Sequence, residues 1–325
     1  MFDVVALGEL LIDFTPAGES TAGSPLFEQN PGGAPANVLV ALAQFGKRTA
    51  FIGKVGQDPF GMYLRSVLLG KQIHVDGLVL SHDAPTTLAF VHLDASGERS
   101  FSFYRNPGAD QLLEAGEIEP TLLQAARMFH FGSNSLTDEP IRSATLFAVK
   151  AAKQKGAVIS FDPNIRLPLW TDAALIEPMI REVLPYADVL KLSLEEMQLL
   201  TGCTDPKTGT LQLYETYGTR LIFVTVGPEG CFFRAGERIG GHSGFTVKTV
   251  DTTGAGDAFW GAVLSQLLER EWMEPFAQGE LERIATFANA AGALCTTRKG
   301  AIPAIPEPTE ITRLIEAQSG MNGPK

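Results

Sequence analysis

The sequence predicts an α/β fold in which a large, mostly parallel sheet is covered by helices on both faces. Three observations carry this. Short runs rich in β-branched and apolar residues recur along the chain, stretches with helical spacing lie between most of them, and only two segments break the alternation. The expected strands are Val4–Leu7, Ala50–Val55, Met128–Phe131, Val158–Phe161, Val189–Leu192 and Leu221–Val226. The first expected helix places Val38, Ala41, Leu42 and Phe45 on one stripe, with Pro35 near its start and Gly46 just past its end. A second runs from Ala144 to Lys155 and stops at Gly156, and a third begins after Asp257 with Phe259, Ala262, Val263 and Leu267 on one stripe.

The two interruptions are extended rather than helical. Leu10–Ala34 holds two extended pieces around a loop of small residues, Gly18 to Pro25. Thr86–Arg105 reads as a β-hairpin turning at Asp94-Ala95-Ser96-Gly97. Together they predict a small accessory sheet, a lid over about 10–34 and 86–105, on a single domain spanning residues 1–325. There is no internal repeat or low-complexity tract, and the tail after Gln318 is expected to fray.

Composition narrows the function. With 325 residues, 45% hydrophobic and 19% charged, the chain can bury the core of a large globular domain. A net charge of −11, spread along the chain, disfavours nucleic acid and anionic lipid as partners. Cys203, Cys231 and Cys295 are far apart and form no CxxC pair, which points to a reducing compartment rather than a disulfide framework. The histidines lack zinc-ligand spacing, and no apolar run reaches the ~20 residues of a membrane span. These readings predict a cytoplasmic enzyme of small molecules.

The strongest chemical signal is Asp251-Thr252-Thr253-Gly254-Ala255-Gly256-Asp257, directly before an apolar-periodic helix. Small residues let the backbone approach a ligand, and the first N–H groups of a helix, with its dipole behind them, form a site for phosphate. A carboxylate at the mouth of such a site, Asp257, suits the acceptance of a substrate hydroxyl proton. A plain glycine turn with Asp257 as helix cap is the alternative for a shorter motif. Seven consecutive residues of this chemistry favour a site. Other phosphate motifs are absent: Gly46-Lys47, Gly53-Lys54 and Gly70-Lys71 are followed by Arg48, Val55 and Gln72, so none is a Walker A loop. Neither a protein-kinase HRD or DFG motif nor a GxGxxG fingerprint occurs.

Gly32-Gly33-Ala34-Pro35-Ala36-Asn37 near one end and Asp251–Asp257 near the other resemble the two signatures of the ribokinase-like, or PfkB, carbohydrate kinases, in the right order across essentially the whole chain. The resemblance implies a ribokinase-like fold, a large α/β domain with a small β-sheet lid. It also implies that Asp257 is the catalytic base and that Gly254, Ala255 and Gly256 form the anion hole. Within the family, Phe103–Asp110, Phe161–Trp170 and Lys299–Pro303 are most similar to the fructokinases, which implies D-fructose and ATP as substrates and fructose 6-phosphate as product. By the same resemblance Asp13, Gly33 and Asn37 hold sugar hydroxyls, with Arg105 reaching down from the lid. A carboxylate and an amide each satisfy two hydroxyls, and glycine admits the sugar to the backbone. Arg166 is open to three partners: the sugar, the transferring phosphoryl group, or Asp162.

On the nucleotide side, Thr225-Val226-Gly227-Pro228-Glu229-Gly230 follows a strand and resembles the family's ATP loop, although Gly227 and Gly230 also read as turn glycines. Lys191 ends an expected strand, where a ligand of an open sheet lies, and could reach phosphate. Asn289, among alanines and Gly292, is either a helix-packing residue or, as in relatives, a neighbour of adenine. The family's Asn-x-x-Glu magnesium motif is matched here by Ser193-Leu194-Glu195-Glu196, also a capping box. Glu196 thus serves the cap, magnesium-bound water, or both, and magnesium rides largely on the nucleotide. Asp251 and Thr253 resemble positions that enclose potassium in relatives. Two other readings stand beside fructokinase: a kinase of 2-keto-3-deoxygluconate, whose carboxylate Arg105 and Arg166 would grip, and a non-catalytic sugar-binding regulator, which would need neither Asp257 nor an anion hole. The lid edges also present strands on which a second copy could pair, giving a homodimer.

Overall fold

Successive side chains of a strand point to opposite faces, and in the first strand neither face meets water. Val4 and Ala6 enter one core, Val5 and Leu7 the other, and all four are fully buried. That is the pattern of a parallel strand covered by helices on both sides. The computed structural model describes residues 1–93 and 99–319. Its strands are β1 (Phe2–Leu7), β2 (Leu11–Glu19), β3 (Pro25–Gly32), β4 (Thr49–Gly56), β5 (His74–Ser81), β6 (Leu88–Leu93), β7 (Arg99–Tyr104), β8 (Ala126–Gly132), β9 (Val158–Asp162), β10 (Val189–Ser193), β11 (Leu221–Thr225), β12 (Gly230–Ala235) and β13 (Arg238–Ser243).

The large sheet has nine strands in the order β13-β12-β11-β10-β9-β8-β1-β4-β5. It is parallel from β5 to β11, and β12 and β13 extend it as an antiparallel edge. Helices Ala34–Gln44, Pro59–Gly70, Ala255–Leu267, Gln278–Cys295 and Pro308–Ser319 pack on one face. Helices Pro120–Gln124, Ile141–Gln154, Ile176–Val183, Leu194–Thr201 and Pro206–Tyr217 cover the other. The second sheet, β3-β2-β6-β7, is built from the two extended segments that interrupt the alternation. The expected α/β architecture with a small extra sheet is therefore the observed one.

Three strands were not expected. β5 hides behind a polar start at His74 and Asp76, and β12 and β13 form a hairpin whose two-residue turn opens at Gly236 with a φ of 60°. One helix start also moves. Helix Ala255–Leu267 begins before Asp257, because Gly254 adopts a φ of 75° and is itself the cap, so Asp257 lies inside the first turn. The expected turn Asp94–Gly97 lies outside the described residues, as does the tail beyond Ser319. Among the described residues no helix is long and apolar enough to cross a membrane.

The strand order reverses at β1, which has β4 on one side and β8 on the other. Open sheets of this kind bind ligands beyond the carboxyl ends of the strands at that reversal. Helix Ala255–Leu267 is anchored over this region by a buried polar contact. The Trp260 indole N–H donates to Ser160 Oγ on β9 at 3.0 Å, and His130 Nδ1 on β8 lies 3.0 Å from the same oxygen. Burial lowers the His130 pKa to about 3, so the ring is neutral at physiological pH.

Ser160→Ala removes the hydroxyl that both rings share and leaves a buried indole N–H unpaired. The expected cost is about 1–3 kcal/mol, seen as a lower thermal midpoint by calorimetry. An unchanged midpoint would show that the anchor contributes nothing.

Candidate active site

Two glycines, Gly32 at the end of β3 and Gly33 just after it, sit where a side chain would meet its neighbours. A Cβ on Gly32 would lie 2.2 Å from Asp13 Oδ2, and one on Gly33 would lie 2.3 Å from the Glu9 carbonyl oxygen, where the φ is also +116°. Helix Ala34–Gln44 starts immediately afterwards, with Pro35 in the first turn where its missing N–H costs nothing. This helix has no side-chain cap of its own. Glu9, from the end of β1, supplies one: its Oε1 accepts the Ala34 N–H at 2.9 Å and the Asn134 side-chain amide at 3.2 Å. Burial pushes the Glu9 carboxyl above the usual range, and its Oε2 is buried without a hydrogen-bond partner.

One turn into that helix, Asn37 Nδ2 donates to Asp257 Oδ2 at 2.8 Å. Asp257 comes from the second signature, whose loop is set by Asp251. The Asp251 oxygens accept the N–H groups of Thr253 at 2.8 Å and Gly300 at 3.0 Å. Gly254 then turns the chain into the helix, and a Cβ there would lie 2.8 Å from that of Ala301. The first N–H groups of a helix have no intrahelical acceptor, so those of Gly256 and Asp257 are available at this helix start.

Two cavities meet at this helix start. The first, about 390 Å³, is lined by Glu9, Asp13, Gly33, Asn37, Phe103, Asn134, Asn164, Arg166, Thr253, Gly254 and Asp257 among others. The second, about 530 Å³, is lined by Thr225, Gly227, Gly230, Phe245, Ala255, Phe259, Asn289 and Gly292 among others. Thr252 and Gly256 line both.

Most of the expected site residues thus gather in two adjoining groups, but four line neither cavity. Arg105 does not reach down from the small sheet. Its Nε donates to Asp110 Oδ2 at 2.7 Å, and its terminal nitrogens donate to Thr137 Oγ1 and the Asn134 carbonyl, both at 3.0 Å. The carboxylate five residues further along the chain captures the guanidinium before it can reach the cavity. Lys191 is buried and donates to Asp162 Oδ2 at 2.7 Å. Glu196 closes the capping box with the Ser193 N–H at 2.8 Å and accepts the Ile165 N–H at 2.8 Å. Asp251 is the loop brace just described. Asn289 spans both of its readings, since it faces the second cavity while its Nδ2 donates to the His242 carbonyl at 2.9 Å. Of the three partners open to Arg166, Asp162 is already engaged by Lys191, and Arg166 faces the first cavity.

Glu9, Phe103, Asn134 and Asn164 also line the first cavity and were not among the expected site residues. Glu9 left a trace, an acid directly after Gly8 inside an otherwise apolar stretch. Asn164 sits at a φ of 45°, a conformation that asparagine tolerates better than most residues. The electrostatics of the first cavity are those of crowded carboxylates. Burial raises the Asp257 pKa, while the Asn37 hydrogen bond and the charges of Lys191 and Arg166 pull it back. Burial pushes Asp13 up to about 7, opposed by Arg166 and reinforced by the carboxylates of Glu9, Asp257 and Asp251.

Comparison with known proteins gives a consistent result. The family described as pfkB family carbohydrate kinase matches residues 1–308. Fructokinase-2 of Solanum habrochaites is 43% identical over 315 residues, 96% of each chain. A fructokinase from Xylella fastidiosa, solved with bound ATP, superposes with a TM-score of 0.87 at 35% identity over 98% of this chain and 100% of that one. A fructokinase from Vibrio cholerae, solved with fructose, ADP and calcium, superposes with a TM-score of 0.86 at 34% identity over 97% of this chain and 99% of that one. A variant of the Vibrio enzyme has been solved with fructose, ADP and potassium.

The raised Asp13 pKa has a consequence for stability. Unfolded, this carboxyl titrates near its ordinary 3.8; folded, near 7. Between those values the folded chain holds a proton that the unfolded chain has released, so the contribution is present at low pH and is lost as pH rises through about 7. In the ligand-free protein, Asp13→Asn is expected to raise the thermal midpoint at pH 8 and to leave it unchanged near pH 4. Equal effects at both pH values would show that Asp13 is not held protonated.

Proposed function

Because the chain belongs to the pfkB family of carbohydrate kinases, we propose that the first cavity receives the sugar, the second receives ATP, and Asp257 is the base between them. The protein is an ATP-dependent fructokinase. The observation that carries the residue assignment is the shared wall: Thr252 and Gly256 border both cavities, and Asp257 lies beside them on the sugar side.

Fructose binds beneath the small sheet, with Asp13, Asn37 and the Gly33 backbone taking its hydroxyls. Asp257, oriented by Asn37, accepts the proton of the primary O6 hydroxyl as that oxygen attacks the γ-phosphorus and the bond to ADP breaks. Its raised pKa suits this role, since a base works best with a pKa close to the working pH. The N–H groups at the helix start stabilise the transferring phosphoryl oxygens, and Arg166 faces them across the cavity. Closure of the small sheet as a lid would exclude water and limit ATP hydrolysis.

ATP use is accompanied by a metal ion, which we take to be magnesium. Among the described residues no group of three acidic, His or Cys side chains converges to cage a metal. Both Glu196 oxygens accept backbone N–H groups, so Glu196 would hold magnesium through water. Magnesium on the nucleotide phosphates supplies charge neutralisation. Asp251 and Thr253, oxygen donors beside the anion site, are the residues that would hold potassium.

Among the described residues lining the sugar cavity Arg166 is the one cation, set against Glu9, Asp13 and Asp257. That balance favours a neutral sugar over 2-keto-3-deoxygluconate, and Arg105 is not available to grip a carboxylate. An intact base and anion site disfavour the non-catalytic regulator. The small sheet also carries exposed aromatics, Phe27 and Tyr104, packed around Phe90, and we propose this sheet as the contact of a cytoplasmic homodimer.

A coupled ADP-release assay with Mg·ATP and fructose, 2-keto-3-deoxygluconate, ribose or glucose tests the substrate. Turnover on fructose is expected to exceed the others. Asp257→Asn is expected to lower kcat by about 10²–10⁴-fold while calorimetry still shows fructose binding. Near-normal turnover in that variant would remove Asp257 as the base.

A further inference from the structure

The anion site has a buried cation behind it. Lys191, on β10, and Asp162, at the end of β9, form an ion pair at 2.7 Å with side-chain exposures of 7% and 3%. A pair this deeply buried is weak evidence for stability, because desolvating two charges offsets much of their attraction. Its location gives it another use. A Cβ on Gly256 would lie 3.2 Å from the Lys191 Nζ and 3.5 Å from its Cε. The ammonium therefore packs close to the backbone of the residue that borders both cavities, while Lys191 itself lines neither. A side chain at 256 would crowd the ammonium there.

The surrounding groups hold the ammonium in place and keep it charged. Asp162 Oδ2 accepts its hydrogen bond, while Asp162 Oδ1 has no partner of its own. Glu196 is committed to the Ser193 and Ile165 N–H groups, so it acts on Lys191 through charge alone. The Asp162, Glu196 and Asp257 carboxylates outweigh burial and raise the Lys191 pKa.

Resting on the kinase reading above, we propose that Lys191 is a positioning residue for phosphoryl transfer, held by Asp162 beneath the helix start and acting across Gly256 on the charge of the transferring phosphoryl group. It would add a full positive charge to the partial charge of the helix dipole at the junction of the cavities. It would also hold Asp257 in its ionised form, alongside Arg166 and the Asn37 hydrogen bond and against the carboxylates of Asp13 and Asp162. No bond to Lys191 forms or breaks.

The test is the double variant Lys191→Met/Asp162→Asn, which removes both charges together and leaves neither stranded in the core. With a folded protein, kcat is expected to fall at least tenfold and the KM for fructose to stay within about twofold. The acid limb of the pH–rate profile, which reports Asp257, is expected to move to higher pH. The single Lys191→Met variant carries the same kinetic expectation should the double variant not fold. A kcat within threefold of wild type would overturn the proposal. So would a loss of kcat matched by a raised fructose KM with the acid limb unmoved, which is the signature of general distortion. Wild-type turnover is the control: if no sugar is phosphorylated by the wild type, the kinase reading fails, whereas turnover that survives in the variant fails the Lys191 role alone.

Discussion

The hydrogen bond from Asn37 to Asp257 joins two residues 220 positions apart and holds two helix starts at one point. Much of the surrounding structure serves to make that meeting possible. The reversal of strand order at β1 sets helix Ala34–Gln44 beside helix Ala255–Leu267 on one face of the sheet. Gly261 lets them approach closely, since a Cβ there would lie 2.5 Å from that of Ala41. Each helix start is then fixed from elsewhere in the chain, one by Glu9 and the other by the loop that Asp251 braces. Neither helix carries a side-chain cap of its own, and at helix Ala255–Leu267 this leaves first-turn N–H groups for the proposed phosphoryl site.

Concentrating carboxylates in one cavity has an electrostatic cost that the fold meets in two ways. Burial raises the pKa values of Glu9, Asp13 and Asp257, so the charge they carry together is less than their number suggests. Two cations then offset it from opposite directions. Arg166 does so from the cavity side, and Lys191 from within the core. In the proposed function, the same arrangement would let a hydroxyl lose its proton to Asp257 and leave the nearby helix start free for an anion. An acid and a phosphoryl group would thereby be kept close without having to share a single positive charge.

How much of this the sequence revealed follows from how local each cause is. The strand-and-helix alternation, the two glycine-rich signatures and the small sheet were legible because each depends on neighbouring residues: periodicity, turn chemistry, small side chains in a row. Gly256 and Asp257 stood out for the same reason, whereas Asp13 and Asn37 were named through the family resemblance; all four line the first cavity. What escaped depends on distant partners. Glu9 matters because Ala34 and Asn134 come to it, and nothing near Glu9 in sequence announces them. Arg105 has the right chemistry to grip a sugar, yet Asp110, Thr137 and Asn134 claim it first. The helix start at Ala255 turned on one backbone angle at Gly254, which converted Asp257 from an apparent cap into a first-turn residue.

In the proposed function the sugar and the nucleotide meet at the start of helix Ala255–Leu267. The most direct measurement is a crystal structure with fructose and a non-hydrolysable ATP analogue bound together. One fructose hydroxyl is expected within hydrogen-bond reach of Asp257 and in line with the terminal phosphorus, whose oxygens meet the N–H groups of Gly256 and Asp257. A ternary complex with the terminal phosphate held away from that helix start, or with the sugar outside the cavity that Asp13 and Asn37 line, would contradict it.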